Sequence, residues 1–340
     1  MKSFGNVSKI NPMKTSRSIS HTAYDTLLQL RLPVLLVFVI LFACLAYSGV
    51  LLKQQEQAFA QTGFAPRSGS SGQADTLYRD MLASVEGAIS ISTGVQQRIR
   101  MFGQEYIATG TYCELKTTEL RGKGAARFRL EMTVQPPADA RDVSSPNSLT
   151  IVCDNTYNTI YRNYSLGGVN RVERIELKPL VEALEKHGRS DIPTEAGSLF
   201  GVGGLAGMLR ELRNRYDFSD APEPTQINDK TGPVKVWLIR GRLKPAIIAA
   251  LTAETAGEKQ VIPVHTPTAI DISIGMDDRF PLKFEYYWTA DGSEASGEPF
   301  ANLVFFDRIL NSGNISETNF DYLPSGSIDV TKQVIQQLLR

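Results

Sequence analysis

The sequence predicts an α+β fold that follows one membrane-spanning helix near the N-terminus. Three observations lead to this prediction: one long apolar run without charges near the start, several segments in which polar and apolar residues alternate, and helical patterns inserted between groups of those segments. Alternation with a period of two is typical of strands that bury one face. Because the helical patterns do not follow every strand, an antiparallel sheet is favoured over a succession of βαβ units.

The apolar run covers residues 32–52. At about 1.5 Å per residue it is long enough to cross a hydrocarbon core of roughly 30 Å as a helix. Five basic residues and one acid precede it, so residues 1–31 are predicted to be a disordered leader that stays in the cytoplasm. A signal peptide cleaved after Ala60 and a lipoprotein signal at Cys44 are alternatives. The length of the run favours an uncleaved signal anchor.

The remaining chain divides into a linker and one exported domain. Residues 53–73 contain a Gly- and Ser-rich stretch and are predicted to be flexible, and residues 74–340 form the domain. Helical periodicity predicts helices over 75–87, 177–187, 205–215 and 245–253, and a last helix from Asp329. Strands are predicted over 95–102, 105–115, 127–134, 148–153, 157–164, 171–175, 234–241, 269–274, 281–289 and 301–310.

The alternating strands place large apolar side chains on one face of the predicted sheet. Such a face has to be covered, and helices that cover it incompletely leave an apolar cavity that suits an apolar ligand. The other interpretation is that the same residues form a filled core. We predict that ten of them line a groove: Phe128, Leu130, Met132, Trp237, Ile239, Phe284, Tyr286, Trp288, Leu303 and Phe305.

Several short motifs of the exported domain resemble one family. The alternating strand at 127–131 is followed by a Cys-Asp-Asn turn at 153–155, and the chain closes with Phe-x-Tyr-x-Pro at 320–324 and Asp-x-Thr at 329–331. In this order the motifs resemble those of the LolA-like lipoprotein carriers, over roughly residues 75–340. The resemblance implies a strongly curved antiparallel sheet, an unclosed half-barrel with helices capping its concave face.

The same resemblance implies that the interior binds the acyl chains of a lipoprotein. A carrier of this type has to diffuse, whereas this chain is predicted to be anchored and carries additional residues around 189–232. We therefore expect a single-pass protein of the bacterial inner membrane, with a cytoplasmic N-terminus and a periplasmic domain that binds lipid or lipoprotein, with lipoprotein sorting as one use. The alternative is an envelope sensor or protein-interaction module of the same fold with a filled core.

The glycine-rich stretch at 201–207 superficially resembles a dinucleotide-binding motif. The convincing strand that should precede such a motif is missing, and the acids that follow it lie too close. A flexible lid or hinge loop is the favoured interpretation. Its glycines are Gly201, Gly203, Gly204 and Gly207.

Other function classes find little support in the composition and motifs. The 36 basic residues balance the 36 acidic ones, which argues against a nucleic-acid partner. None of the three histidines has a further metal-ligating residue at a suitable spacing, and no G-x-S-x-G motif occurs. The acid pairs Asp277-Asp278 and Asp217/Asp220 have the setting of turn residues. We expect no catalytic residues, no metal and no cofactor.

The exported cysteines, Cys113 and Cys153, are expected to be either buried free thiols or one disulfide. If a third strand separates the strands that carry them, Cα atoms about 9–10 Å apart cannot be bridged. Free thiols are the favoured alternative.

Overall fold

The computed structural model describes residues 71–101, 104–116, 126–135, 147–154, 159–166, 169–187, 204–229, 232–253, 266–288 and 297–339. The leader, the apolar run at 32–52 and most of the predicted linker lie outside these ranges. None of the helices within the described ranges is long and apolar enough to cross a bilayer.

The described chain contains five α-helices and thirteen strands. The helices are α1 (Ser71–Gly87), α2 (Leu177–Lys186), α3 (Gly204–Arg215), α4 (Pro245–Ala253) and α5 (Thr331–Leu339), with a 3₁₀ turn at Glu317–Phe320. The first strands are β1 (Ser90–Met101), β2 (Gln104–Leu115), β3 (Arg127–Gln135), β4 (Asn147–Asp154), β5 (Thr159–Leu166) and β6 (Val169–Glu176). The others are β7 (Tyr216–Asp217), β8 (Glu223–Asp229), β9 (Gly232–Leu243), β10 (Ala269–Gly275), β11 (Pro281–Tyr287), β12 (Ala301–Leu310) and β13 (Ile328–Asp329).

All thirteen strands belong to one curved, unclosed sheet. Their order is β13-β6-β5-β4-β3-β2-β1-β12-β11-β10-β9-β7, and β8 also pairs with β9. Neighbours are antiparallel, except that β13 runs parallel to β6. The predicted α+β class and the unclosed sheet are confirmed. One core cluster joins residues from both halves of the sheet, because the curvature turns the concave sides of both halves toward the same interior.

Helices α1 and α3 bury their apolar sides in that interior. The buried residues of α1 recur at helical spacing: Ala74, Leu77, Tyr78, Met81 and Val85. Those of α3 include Leu205, Met208, Leu209 and Leu212. The helices also contact each other, since the Tyr78 hydroxyl donates to the Leu209 carbonyl over 2.6 Å and Arg210 pairs with Glu86.

The C-terminal part of the chain crosses the convex face. We call residues 316–330 the C-terminal strap. Phe320 is buried in it, and the Tyr322 ring packs edge-on against Tyr161 of β5 at 5.8 Å between centroids. Arg129 of β3 donates to the Asn319 carbonyl over 3.3 Å. The strap therefore connects β12, at the centre of the sheet, to the far edge at β6, where it forms β13.

The structure differs from the predicted elements mainly at one edge. Strand β8 has no counterpart among the predicted strands, because Pro224, Asn228 and Asp229 are turn residues by composition and only pairing with β9 makes the segment a strand. Helix α1 starts at Ser71, inside the predicted linker. The last helix starts at Thr331, whose amide donates to the Asp329 carboxylate over 2.9 Å.

Candidate functional site

The strand register arranges the concave side chains in rows that run across the sheet. One row contains the paired positions Ile239, Ile272, Phe284, Leu303, Gln97, Ala108, Val134 and Asn147. The next row contains Phe305, Val95, Gly110, Met132, Leu149, Tyr164 and Arg171. A third contains Thr93, Tyr112, Leu130, Ile151, Arg162 and Glu173. The rows are mostly apolar from β9 to β4 and become charged at β5 and β6.

Six of the ten predicted groove residues lie in these rows: Leu130, Met132, Ile239, Phe284, Leu303 and Phe305. These six and Phe128 are almost inaccessible to solvent, with exposures between 0% and 4%. All seven belong to the one core cluster. Phe284 and Phe305 pack edge to face at 6.0 Å between ring centroids. The predicted apolar interior therefore exists, and its use as a groove stays a prediction.

The other three predicted groove residues are half-buried. Trp237 and Tyr286 pack against the core cluster from its margin. Tyr286 also contacts a small satellite cluster formed by Ile99, Tyr106 and Ala301. Trp288 follows the end of β11 and is half-buried as well. These aromatic side chains are the accessible part of the predicted set.

The described glycines of the predicted lid lie in a helix, and Gly201 and Gly203 lie outside the described residues. Gly204 is the first residue of α3 and Gly207 is buried inside it. Gly204 has a φ of 58°, and a Cβ at this position would lie 2.6 Å from Glu114 Oε2. A left-handed backbone against a carboxylate requires glycine. The lid remains a prediction, and at Gly204 the chain packs closely against β2.

A buried carboxylate holds the start of α3. Glu114 is 0% exposed, and its Oε2 accepts hydrogen bonds from the Leu205 amide over 3.0 Å and from the Tyr112 hydroxyl. The Leu205 amide also donates to the Tyr112 oxygen over 2.9 Å. Lys116 Nζ lies 3.5 Å from Glu114 Oε1. A negative charge at a helix N-terminus is favourable, so this arrangement fixes α3 on β2.

Tyrosine and arginine side chains meet on the concave face of β5 and β6. The Tyr164 hydroxyl donates to Glu173 Oε1 over 2.6 Å, and Arg171 Nη2 lies 2.9 Å from the same oxygen. Arg162 pairs with Glu173 in the register. Burial lowers the pKa of Arg162, while burial and then the bond to Glu173 raise the pKa of Tyr164. Sequence reasoning missed this cluster, although charged residues at inward positions were a usable signal.

Both described cysteines are free thiols, as the sequence favoured. Cys113 pairs with Arg129 of β3 and Cys153 pairs with Phe128. Strand β3 therefore separates them, and they lie on opposite faces of the sheet. Burial raises the pKa of both thiols.

Asp278, the second residue of the acid pair at the β10–β11 turn, has a structural role. Asp278 Oδ1 accepts a hydrogen bond from the Phe280 amide over 3.0 Å, and Oδ2 pairs with Arg308 over 2.6 Å. The Asp278 carbonyl accepts from Ser84 of α1 over 2.7 Å. Within the described ranges no three His, Cys, Asp or Glu side chains are close enough to hold a metal ion.

The fold and this interior define the class of the protein as an open, curved sheet with helices packed in its concave side. No family model matches the chain, and no curated protein matches it. Solved structures similar to it include an uncharacterized conserved protein from Thermus thermophilus, at 12% identity and a TM-score of 0.36, covering 76% of this chain and 99% of that chain.

Two further solved structures are similar to the chain. A putative outer membrane lipoprotein-sorting protein domain from Vibrio parahaemolyticus is 12% identical with a TM-score of 0.30, covering 79% of this chain and 100% of that chain. A LolA superfamily protein from Nitrosomonas europaea is 11% identical with a TM-score of 0.26, covering 74% and 98%. The superfamily that the sequence resembles is thus among the similar structures.

Proposed function

We propose that this protein binds lipid, holding an acyl chain of a lipid or lipoprotein against the concave face of its sheet. The observation that carries the proposal is the apolar surface formed by two adjacent rows. One row contributes Ile239, Ile272, Phe284 and Leu303, and the other contributes Phe305, Val95, Met132 and Leu149. This surface extends from β9 to β4 in a sheet that does not close on itself.

The driving force is the removal of methylene groups from water. Each buried methylene contributes roughly 0.8 kcal/mol, so ten of them contribute roughly 8 kcal/mol before any cost of moving protein segments. That gain has to exceed the cost of separating the covering helices from the sheet. Helix α1 is attached to the β10–β11 turn through Ser84 and Asp278, and α3 to β2 through Glu114 and Leu205. In the proposal the two helices move together, because the Tyr78–Leu209 hydrogen bond and the Arg210–Glu86 pair join them.

The predicted anchor places this binding at a membrane surface. In the proposal, residues 32–52 hold the chain in the bacterial inner membrane with residues 1–31 in the cytoplasm, and the sheet lies in the periplasm. A tethered binding protein works at the membrane face instead of shuttling between membranes. Reception or release of lipoproteins during their sorting is the process that fits such a tether. The proposal involves binding and no catalytic step.

A second candidate follows from the burial of the same residues. Seven of the ten predicted groove residues are at most 4% exposed, as a permanently filled core would be. In that case the domain is an envelope sensor or protein-interaction module, and its outer surfaces contact a protein partner. The two candidates differ in whether an acyl chain reaches the concave face.

A photoreactive fatty acid with a diazirine near the chain end distinguishes the two candidates. The full-length protein in nanodiscs is incubated with this probe, irradiated, digested and analysed by mass spectrometry. Acyl binding predicts labelled peptides from β3 and β11, and excess unlabelled fatty acid should reduce that labelling. Labelling confined to the apolar run at 32–52 would overturn the proposal and favour the filled core.

A matched pair of variants sharpens this experiment. Ala108 lies in the apolar interior, and Ala108→Phe should fill the space beside β3 and reduce labelling there. Thr109 is the neighbouring, outward-facing residue of β2, so Thr109→Phe adds the same ring on the convex side. Thr109→Phe should leave the labelling unchanged, and circular dichroism checks that both variants are folded.

A further inference from the structure

We propose that Arg162, Tyr164 and Arg171 form a subsite for the anionic headgroup of an amphiphile, at the end of the apolar rows on the concave face. This inference rests on the proposed function, because it names the headgroup class of the lipid whose acyl chain the apolar surface would hold. The shared chemistry of the headgroup is one carboxylate or phosphate group next to an acyl chain.

The first argument is continuity between apolar and charged positions. In one row Leu130 is followed by Ile151 and then Arg162, and in the adjacent row Leu149 is followed by Tyr164 and then Arg171. Tyr164 itself packs against the apolar core. A molecule lying along either row therefore passes from hydrocarbon contacts to guanidinium groups within two strands. An anionic amphiphile has this same order of groups.

The second argument is the charge balance of the cluster. At the concave positions of β5 and β6 that the structure describes, two arginines accompany one carboxylate, Glu173. Glu173 is 12% exposed and interacts with both Tyr164 and Arg171, so it orients these two side chains. The formal charge of these three side chains together is therefore positive. Arginine is also the side chain whose planar fork matches carboxylate and phosphate oxygens.

The third argument is accessibility. The Arg171 side chain is 46% exposed, whereas Arg162 is half-buried at a position closer to the core. Burial lowers the pKa of Arg162, which means that its cation has lost part of its hydration. An anion gains most from a cation that is already partly desolvated, because less water has to be removed on binding. The exposed side at Arg171 gives the headgroup a route from solvent.

Two arginines on the other face of the sheet, Arg240 and Arg174, have a different setting. Arg240 lies on the convex side between Glu223 and Asp271, at 3.1 and 3.7 Å. Arg174 of β6 also faces the convex side, where it lies 3.4 Å from Glu176 and 3.5 Å from Asp329. Each has two carboxylates nearby. Arg174 is therefore a suitable control for Arg171.

The test compares probes with one acyl chain and different headgroups. A fluorescent fatty acid, its methyl ester and a phosphatidylglycerol with the same labelled chain are titrated into full-length protein in nanodiscs of uncharged lipid. Arg162→Gln and Arg171→Gln should each weaken binding of the fatty acid about tenfold, as expected for one lost charge-assisted hydrogen bond. Binding of the methyl ester should change less than about twofold, since it carries no charge to lose.

The controls separate the possible outcomes. Arg174→Gln should leave all three affinities unchanged. Tyr164→Phe, which keeps both arginines, should weaken only the anionic probes and by a smaller factor. A phosphatidylglycerol that responds while the fatty acid does not identifies phosphate as the headgroup, and the reverse identifies carboxylate. Equal losses for the ester and the anionic probes, or unchanged binding of both the fatty acid and the phosphatidylglycerol in the two arginine variants, would refute the subsite while leaving lipid binding intact. Failure of every probe to bind the wild type would instead refute the proposed function.

Discussion

The amide of Leu205 donates a hydrogen bond to the Glu114 carboxylate over 3.0 Å, although 91 positions separate the two residues in the chain. This contact fixes the beginning of α3 on β2, inside the apolar interior. The Tyr112 hydroxyl completes the arrangement by donating to the same carboxylate oxygen. Mutation, titration and chemical labelling can test this contact and the burial around it.

The first prediction concerns the glycine that allows the contact. Gly204→Ala should lower the free energy of unfolding by about 2–3 kcal/mol, because the residue has a positive φ and the new Cβ would meet Glu114 Oε2 at 2.6 Å. Gly207→Ala is the matched control, since no atom lies within 4 Å of its added Cβ, and it should be neutral or slightly stabilising. Urea denaturation measures both. Equal effects in the two variants would contradict the close packing at Gly204.

The second prediction concerns stability at high pH. Burial is the main cause that raises the pKa of Tyr78 and Tyr112 well above the usual 10.0. Above pH 10.0 the unfolded chain therefore loses protons that the folded chain keeps. The free energy of unfolding should fall there by about 1.4 kcal/mol per pH unit for each tyrosine. Buried Cys153 adds an effect of the same sign from about pH 9.0.

Denaturation between about pH 8 and pH 11 measures this loss. Tyr78→Phe removes one ionisable group and should flatten the decline, although its lost bond to the Leu209 carbonyl lowers stability at every pH. A decline of the same slope in the variant and the wild type would show that Tyr78 does not contribute to it.

The third prediction concerns the thiols. A thiol reacts with iodoacetamide as the thiolate, so a raised pKa slows the reaction at neutral pH. Native Cys153, which is fully buried, should remain unmodified, and half-buried Cys113 should react more slowly than in the denatured chain. Peptide mapping after alkylation with and without urea measures both. Fast labelling of Cys153 in the native protein would mean that the interior opens readily.

The fourth prediction concerns the C-terminal strap. Phe320→Ala should cost about 3–4 kcal/mol or release the strap locally, because the ring is 1% exposed. Hydrogen exchange should then accelerate in β13 and α5 before it changes in β1. Leu323→Ala is the control within the strap, since Leu323 is 74% exposed and should have no effect. An unchanged exchange pattern in Phe320→Ala would show that other contacts hold the strap.

The strands of the sheet were predictable because their side chains follow a local period. Strand β3 alternates in sequence and in burial, so its inward face could be predicted residue by residue. The short β13 and the edge strand β8 could not, because they exist only through pairing with β6 and β9. The strand propensity of a segment contains no information about a pairing partner that is distant in the sequence.

The apolar interior was likewise predictable, whereas its polar contacts were not. Phe284 and Leu303 were assigned correctly to one face by alternation. Glu114 and Arg162 occupy inward positions too, but a single charged residue in a strand does not indicate which amide or carboxylate it will meet. Arg162 meets Glu173 only through the strand register, which pairs the two residues.

The pairing of β1 with β12 also affects how the chain acquires its fold. Ile91 pairs with Leu310, so β1 stays without one neighbour until β12 has been synthesised. The far edge at β6 is completed later still, by β13. Contacts of such long sequence separation slow folding, and they leave an unpaired strand edge exposed in the meantime. During biosynthesis, β1 therefore has a paired edge toward β2 and an unpaired edge that waits for β12.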